Sequence, residues 1–334
     1  MTDKAQEPEK VSVIIPTYNR ERFIAKAICS AIEQGYGNVE IIVVDDHSND
    51  NTEIVVSRLI KDFPCIKYFK NIRRKGPSGA RNTGILKSSG QYIAFLDSDD
   101  IWLHNHLSSS VEILAGDPQL SLLFGNYEVV DYKTGQHLYN FFDRKVILHS
   151  LQSVQSAPGI MIVNDNLFIA LIKENFFQLG TLICRKHALH DILFDEDVMF
   201  REDGDFGIKL YKESHARFAY RTDPTVRVYR HDTNMTRTGD PSISVDYVKA
   251  ELLLFTSYPR KYNLSRHEKS IVSKAIHDVL LELAYIHRKS GCHLEAFLHV
   301  LKSFRFGISY KQMQEMAKAL PDALYSWCKV RMIL

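Results

Sequence analysis

Within the first hundred residues, four short apolar runs alternate with stretches whose apolar residues recur at helical spacing. No other feature of the chain restricts its fold as much. Val11–Ile15 is β-rich and is expected to stop at Pro16, and Phe23, Ile24, Ala27, Ile28, Ala31 and Ile32 then share one helical face. Gly35 and Gly37 close that helix. Glu40–Val44 is the second run and ends in Asp45 and Asp46; Ser48 to Asn51 offer N-caps for a helix to about Asp62. Ile66–Phe69 is the third run. After a glycine-rich turn Ser78 can cap a helix reaching Lys87, and Tyr92–Leu96 is the fourth. A β-α-β-α-β-α-β order predicts an α/β fold, with right-handed crossovers and a mostly parallel sheet flanked by helices.

The fourth run is continuously apolar, as a strand buried on both faces must be, and it ends in Asp97-Ser98-Asp99-Asp100. In an open α/β sheet, ligands bind where strands leave the sheet at their carboxyl ends. Carboxylates packed this closely stay ionised together most easily around a cation. Oxygen-only ligands favour a hard ion such as Mg2+ or Mn2+, which usually also binds phosphate. The competing reading is a solvated acidic turn that caps the next helix. It carries more weight for an isolated Asp-x-Asp, a common tripeptide, so the rest of the chain decides.

Lys75-Gly76-Pro77-Ser78-Gly79 enters a helix, and such a turn offers free N–H groups to an anion, although it matches neither of the common phosphate-loop patterns. Beyond Trp102 a helix is expected to about Gly116, a strand over 120–130 and a hairpin turn at Lys133-Thr134-Gly135. Helix is expected again over 165–173 and strand over 180–184, with 148–163 unassigned. A helix over 202–212 begins with Glu202, Asp203 and Asp205, where complementation of the helix dipole alone would account for the acids. Val226–Arg230 reads as a strand followed by His231. From about Val245 the pattern turns helical, over 247–255, 266–289, 293–304 and 311–333, the last interrupted at Pro321.

At 334 residues the chain has room for two domains, or one large domain with an appendage. A net charge of +2 gives no overall preference for nucleic acid or for acidic substrates. Five cysteines, odd in number and without a Cys-x-x-Cys pair, read as reduced, buried thiols of a cytosolic protein. No apolar run approaches the ~18 residues of a membrane span, and the polar residues 1–10 carry no signal-peptide pattern. Residues 294–334 hold six basic and three acidic side chains among Phe297, Leu298, Leu301, Phe304 and Phe306. That excess is worth about 3 kcal/mol at an anionic surface, marginal anchoring unless aromatics insert as well. Packing on the catalytic domain or on a dimer mate is the competing use of these helices.

Five segments, taken in order, resemble the family 2 inverting glycosyltransferases of GT-A fold. They are Val11–Arg20 (VSVIIPTYNR), Val43–Ser48 (VVDDHS), Gly79–Ile85 (GARNTGI), Phe95–Trp102 (FLDSDDIW) and Glu202–Phe206 (EDGDF). The resemblance covers about 11–240. It implies a Rossmann-like GT-A domain there, with a nucleotide-binding half over 11–130 and an acceptor-binding half over 131–240. Residues 1–10 are then a polar tail and 241–334 a C-terminal helical extension.

The resemblance also implies roles. Pro16, Thr17, Tyr18, Asp46, Arg81 and Asp97 bind the nucleotide sugar, with Tyr18 stacking on the base and Asp46 hydrogen-bonding it. Asp99, with His231 as a second ligand, holds Mn2+ or Mg2+, and Asp203 is the catalytic base. Asp100 orients its neighbours or caps the helix, and Trp102 belongs to the core. The implied enzyme moves a sugar, most simply from a UDP-sugar, to a glycan or lipid-linked acceptor in bacterial polysaccharide or lipopolysaccharide synthesis. It uses no nucleic acid and works in the cytoplasm or at the inner face of the membrane, where the C-terminal helices can make peripheral contact; a homodimer stays open. A sugar nucleotidyltransferase does not fit, because Pro16–Arg20 lacks that class's glycine- and arginine-rich first loop. The remaining alternative is a degenerate sugar-nucleotide-binding or scaffolding protein, which would have no need to keep Asp97, Asp99 and Asp203.

Overall fold

The computed structural model describes residues 8–232, 234 and 241–318, with side chains from 245 in the last segment. The chain forms two compact units, Met1–Asn234 and Met235–Leu334. In the first, the strands are β1 Val11–Thr17, β2 Val39–Asp45, β3 Ile66–Lys70, β4 Tyr92–Phe95, β5 Ile101–Trp102, β6 Leu122–Asp131, β7 His137–Asn140, β8 Ser153–Ala157, β9 Ile160–Val163, β10 Ile183–Arg185 and β11 Phe218–Arg230. Its helices are α1 Ile24–Ile32, α2 Thr52–Asp62, α3 Pro77–Lys87, α4 His106–Gly116, α5 Val146–Ser150, α6 Leu167–Lys173, α7 Lys186–Leu189 and α8 Glu202–Glu213. One sheet carries them in the order β3-β2-β1-β4-β10-β6-β11-β9-β8, with β5 on β11 and β7 on β6.

The half of the sheet from β3 to β4 is parallel throughout. β10 then runs antiparallel between β4 and β6, and β11 returns parallel to β6. The parallel order expected from the sequence is therefore the core of the sheet, and the far side is mixed. Every residue of β1 and of β4 is buried, as strands covered on both faces must be. Val13, Ile15, Ile41, Val43, Tyr92 and Ala94 pack against Ile24 and Ile28 of α1 and against Val56 of α2 in the main core.

Two details set the site. β1 does not stop at Pro16 but continues through it to Thr17. Even-numbered β1 residues bond toward β4, as Leu96 N does to Ile14 O, and odd-numbered ones toward β2, as Asp46 N does to Thr17 O. The β4 ladder ends at Ile14↔Phe95, so the missing N–H of Pro16 interrupts nothing. On the face opposite α1 and α2, α3 lies close to β1, because a Cβ at Gly84 would stand 2.3 Å from Ile14 Cγ2.

Other expectations shift. α3 begins at Pro77 behind Gly76, so Ser78 lies inside the helix instead of capping it. Residues 148–163 hold the β8–β9 hairpin, the strand expected over 180–184 narrows to β10, and β11 is far longer than 226–230. Among the described cysteines Cys184 is buried, Cys29 and Cys65 are half-buried, and Cys292 is exposed, so the uniformly buried thiols expected do not hold; Cys328 lies outside the described residues.

The second unit contains α9 Pro241–Lys261, α10 Arg266–Lys289 and α11 His293–Ser303, followed by helix over 310–318. α10 packs against both α9 and α11. It starts with a capping box in which Ser265 Oγ accepts from Glu268 N and Glu268 accepts from Ser265 N. The expected helix over 311–333 lies outside the described residues beyond 318, Pro321 included. No described helix is long and apolar enough to cross a membrane.

Candidate active site

The carboxyl ends of β1, β2 and β4 lie side by side, since Thr17 pairs with Asp45 and Ile14 with Phe95. At the end of β2 two adjacent carboxylates do different work. Asp45 is wholly buried and accepts from Ser48 N, Ser48 Oγ, the Tyr68 hydroxyl and Lys70 Nζ. Burial pushes its carboxyl up, but those donors outweigh it and hold it below the usual range. Asp46 accepts from Asn71 Nδ2 at 2.7 Å and from Gly76 N at 2.8 Å. The anion at the glycine turn is thus the protein's own Asp46, and Gly76 can present that N–H because it adopts φ +132°.

Tyr18 follows β1 at 39% exposure, with Lys75 Nζ 4.5 Å from its ring centre. Pro16 and Thr17 are buried, and Thr17 Oγ1 has no hydrogen-bond partner. Tyr18, Asp46 and Lys75 therefore line one end of the sheet, beside a ring face that is half open to solvent.

At the end of β4 the pattern differs. Asp97 Oδ1 accepts from Arg81 Nη2 at 2.8 Å, and Arg81 Nη1 reaches Glu202 Oε1 at 3.0 Å. Arg81 is buried over the Phe194 ring, with its Nε unpartnered. Each amino group of Arg81 donates to one carboxylate, so it ties the β4 loop to the first turn of α8.

Asp99 takes two contacts on one oxygen: Arg20 Nε and His231 Nε2, each 3.2 Å from Oδ2. Burial raises its pKa, but the His231 hydrogen bond and the Arg20 charge outweigh this and hold it low. His231 leaves β11 with its ring stacked on Phe23 at 4.5 Å and edge-on to Tyr132. Asp100 is buried and accepts from Tyr229 N, tying the loop to β11, and burial with Asp99 and Asp97 nearby pushes its carboxyl well up. It does not cap α4, which starts behind Asn105. Trp102 is core, its indole N–H donating to Gly180 O.

Neighbouring ligands on an octahedral ion with bonds of ~2.1 Å stand about 3 Å apart. Asp99 Oδ2 and His231 Nε2 have that separation, so the pair fits two adjacent corners of one ion. Among the described residues no group of three or more His, Cys, Asp or Glu side chains could hold a metal. Such an ion would take its other ligands from phosphate and water, the usual habit of Mg2+.

Arg201 precedes α8 in the left-handed region at φ +61°, with Nη2 donating to Leu171 O. This sharp entry places Glu202 and Asp203 at the helix start. Asp203 Oδ1 accepts from Asn175 Nδ2 at 2.9 Å and from Gly204 N at 2.7 Å. Its pKa is raised, first by burial, while those two donors and the charges of Arg201 and Arg81 oppose the rise. Burial is the leading cause of the rise, and Asp205 of the same turn lies 3.6 Å from Lys209.

Arg20, Asn175 and Lys75 stand at this site without having been singled out by the sequence. Arg20 had a usable signal, a guanidinium four residues past Pro16 at a strand end. Asn175 had none, because it lies in the loop after α6 and comes near Asp203 only through the fold.

Residues 12–165 match the family model described as Glycosyl transferase family 2. The chain is 42% identical over 121 residues to an Escherichia coli protein named UDP-Glc:alpha-D-GlcNAc-diphosphoundecaprenol beta-1,3-glucosyltransferase WfgD, covering 36% of this chain and 47% of that one. It is 32% identical over 225 residues to the GalNAc(5)-diNAcBac-PP-undecaprenol beta-1,3-glucosyltransferase of Campylobacter jejuni, covering 67% of this chain and 66% of that one. The chain thus spans about half the length of the first relative and about two thirds of the second. Among solved structures, S. aureus TarS 1–349 in complex with UDP-GlcNAc superposes with a TM-score of 0.61 at 18% identity, over 93% of this chain and 90% of that one. The mannosyltransferase PcManGT from Pyrobaculum calidifontis, in complex with GDP-Man and Mn2+, gives 0.55 at 20% identity, over 95% and 81%. These likenesses identify the fold as GT-A.

Proposed function

We propose that this chain, which belongs to glycosyl transferase family 2, transfers a sugar with inversion from a UDP-sugar to a hydroxyl of a lipid-diphosphate-linked glycan. One observation carries the reading. A single buried guanidinium, Arg81, joins Asp97 on the donor side to Glu202, the immediate neighbour of Asp203. A donor resting on the β4 loop therefore meets a carboxylate base at a fixed distance. A module without chemistry to perform has no use for that coupling, which weighs against a degenerate or scaffolding protein.

Tyr18 takes the base on its open face, and Asp46, held by Asn71 and Gly76, presents its remaining lone pairs to it. Asp97 lies nearest the ribose, and Asp99 with His231 holds the ion. A bound divalent ion supplies charge stabilisation to the departing diphosphate. Arg20 lies within reach of the same negative charge through its contact on Asp99. Asp203 removes the proton of the attacking hydroxyl. Its Oδ1 is occupied by Asn175 and Gly204, so Oδ2 is the oxygen left to receive that proton, and the raised pKa makes it a better base than an ordinary aspartate. The leaving diphosphate needs no proton, so one base suffices.

The relatives that act on undecaprenol-diphosphate glycans motivate the acceptor class, and the UDP-GlcNAc complex motivates the donor class. Such an acceptor is presented at a membrane surface, where this chain would work as a peripheral protein. Asp203→Asn tests the reading: transfer from UDP-sugar should fall by about 10²–10⁴-fold with UDP binding unchanged. Transfer at the parent rate would remove Asp203 from the role of base.

A further inference from the structure

The described residues of the second unit present two features that the packing among them leaves unused. α11 is apolar on two sides. Ala296 and Val300 are buried, Val300 among Leu281 and Ala284 of α10. Leu294, Leu298 and Leu301, at i, i+4 and i+7, form another stripe and stay 39%, 44% and 41% exposed. A helix that only packs on its neighbours needs one such stripe. Of the sixteen large apolar side chains exposed among the described residues, eight fall within 241–318, Ile308 and Tyr310 at 80% each. That is half of them in about a quarter of the described chain, twice the share its length would give.

Beside the stripe, α9, α10 and the end of α11 enclose an open groove of about 450 Å³. Leu252, Leu253, Ile276, Leu280 and Phe306 form its apolar lining, and Lys249, Lys302 and Arg305 stand along it. Lys249 faces Asp246 at 3.9 Å, whereas Lys302 and Arg305 make no ion pair with any described residue. The local field is positive enough to help burial and His287 bring neighbouring His299 down to about 4.

We propose that α9, α10 and α11 dock on an anionic phospholipid surface, with lipid phosphates at Lys302 and Arg305. Leu294, Leu298 and Leu301 enter the headgroup–acyl boundary, and one acyl chain lies in the groove. Charge complementarity selects this occupant: a second copy would bring the same unpaired cations together, and an acidic peptide would leave the leucine stripe in water. The inference deepens the proposed function, resting on it for the reason a membrane is near, but its test needs neither donor nor acceptor.

Flotation of the full chain is compared on three vesicles: phosphatidylcholine alone, phosphatidylcholine with phosphatidylglycerol, and phosphatidylcholine with a polyprenyl phosphate. Binding is expected on the phosphatidylglycerol vesicles and weakly on phosphatidylcholine. At about 1 kcal/mol for each cation lost, Lys302→Gln with Arg305→Gln should weaken it by about thirtyfold. Leu298→Ser with Leu301→Ser should abolish it with an unchanged melting temperature, since both side chains are already exposed. The inference is overturned by no binding to phosphatidylglycerol vesicles or by equal binding to phosphatidylcholine. Binding only to the polyprenyl phosphate vesicles overturns it by giving the groove to an acceptor lipid. A dimer in light scattering that Leu298→Ser with Leu301→Ser dissolves overturns it by giving the stripe to a second copy. UDP binding on the same preparation keeps the two proposals apart: intact UDP binding without flotation sinks the docking alone.

Discussion

Two strand ends in the parallel half of the sheet carry aspartates, and they use them in different ways. At the end of β2, Asp45 and Asp46 accept from six protein donors spread over all four carboxylate oxygens. At the end of β4, Asp99 takes both side-chain contacts on Oδ2, from Arg20 and His231, and Asp97 is held on Oδ1 by Arg81. A buried carboxylate needs donors to stay charged, and the protein can supply them permanently or leave room for a ligand to supply them. Asp45, with two donors on each oxygen, is permanently supplied and behaves as architecture that positions the turn after it, whereas Asp46, with one donor on each, keeps lone pairs for a ligand. The β4 end is supplied in part, by side chains from three distant segments, and keeps acceptor capacity for something that is not protein.

The contrast makes unequal demands on activity and stability. Asp99→Asn should lower metal-dependent transfer by about a thousandfold, several kcal/mol of transition-state stabilisation, with a melting temperature close to the parent's. A large loss of stability with activity retained would erase the distinction. Asp45→Ala should do the reverse. It leaves the Tyr68 hydroxyl and Ser48 without their acceptor around a buried gap, while Lys70 keeps Glu53, a change worth about 1–3 kcal/mol of folding stability, and any fall in transfer should follow the unfolded fraction in denaturant titrations. A stable Asp45→Ala protein that cannot bind UDP would move Asp45 into the site.

Glu40, at the other end of β2, extends the same test to pH. It is 2% exposed and accepts from Ser12 Oγ, Lys67 Nζ, Ser89 N and Ser89 Oγ. Burial pushes its carboxyl up, but Lys67 and the two serines outweigh it and bring it down to about 2 from 4.5. A folded-state pKa below the unfolded one gives stability that is present above 4.5 and is lost as pH falls toward about 2. Glu40→Gln should cost about 2 kcal/mol at neutral pH and flatten the stability curve across that acid window, with transfer unaffected. A curve as steep as the parent's would mean that other carboxylates carry the acid limb.

The parallel half of the sheet was legible because β1, β2 and β4 each hold three or more consecutive apolar residues and β3 a shorter pair, with Pro16, Pro64 or aspartates close by, signals that lie within a few residues of one another. The far half was not. β8 runs through Ser153–Ala157, nearly all exposed, and shows no apolar alternation to read; β11 carries Pro224 and two register shifts that break its pattern after Arg221. The site divides along the same line. Residues that follow a strand at once, such as Asp46, Asp97, Asp99 and His231, can be placed at strand ends from local sequence. Arg20–Asp99 and Asn175–Asp203 close loops of 79 and 28 residues, and only the assembled fold brings them together. The Arg81 bonds to Asp97 and Glu202 span 16 and 121 residues, and the second of them is likewise made only in the assembled fold.

Asn175 gives the smallest and most discriminating test, because it places Asp203 between the two cases. One oxygen of Asp203 is supplied as fully as those of Asp45, by Asn175 and Gly204, and the other is left to work. Burial raises the Asp203 carboxyl and the Asn175 hydrogen bond opposes the rise. Asn175→Ala removes that opposition, so the carboxyl rises further and a larger share is protonated at any given pH. A base acts only when ionised, so the acid limb of the kcat profile should move to higher pH, with activity recovering in alkaline buffer and UDP binding unchanged. A uniform loss across the whole profile would instead mean that Asn175 only holds the loop after α6 in place. An unmoved limb with full activity would show that the titrating base is not Asp203.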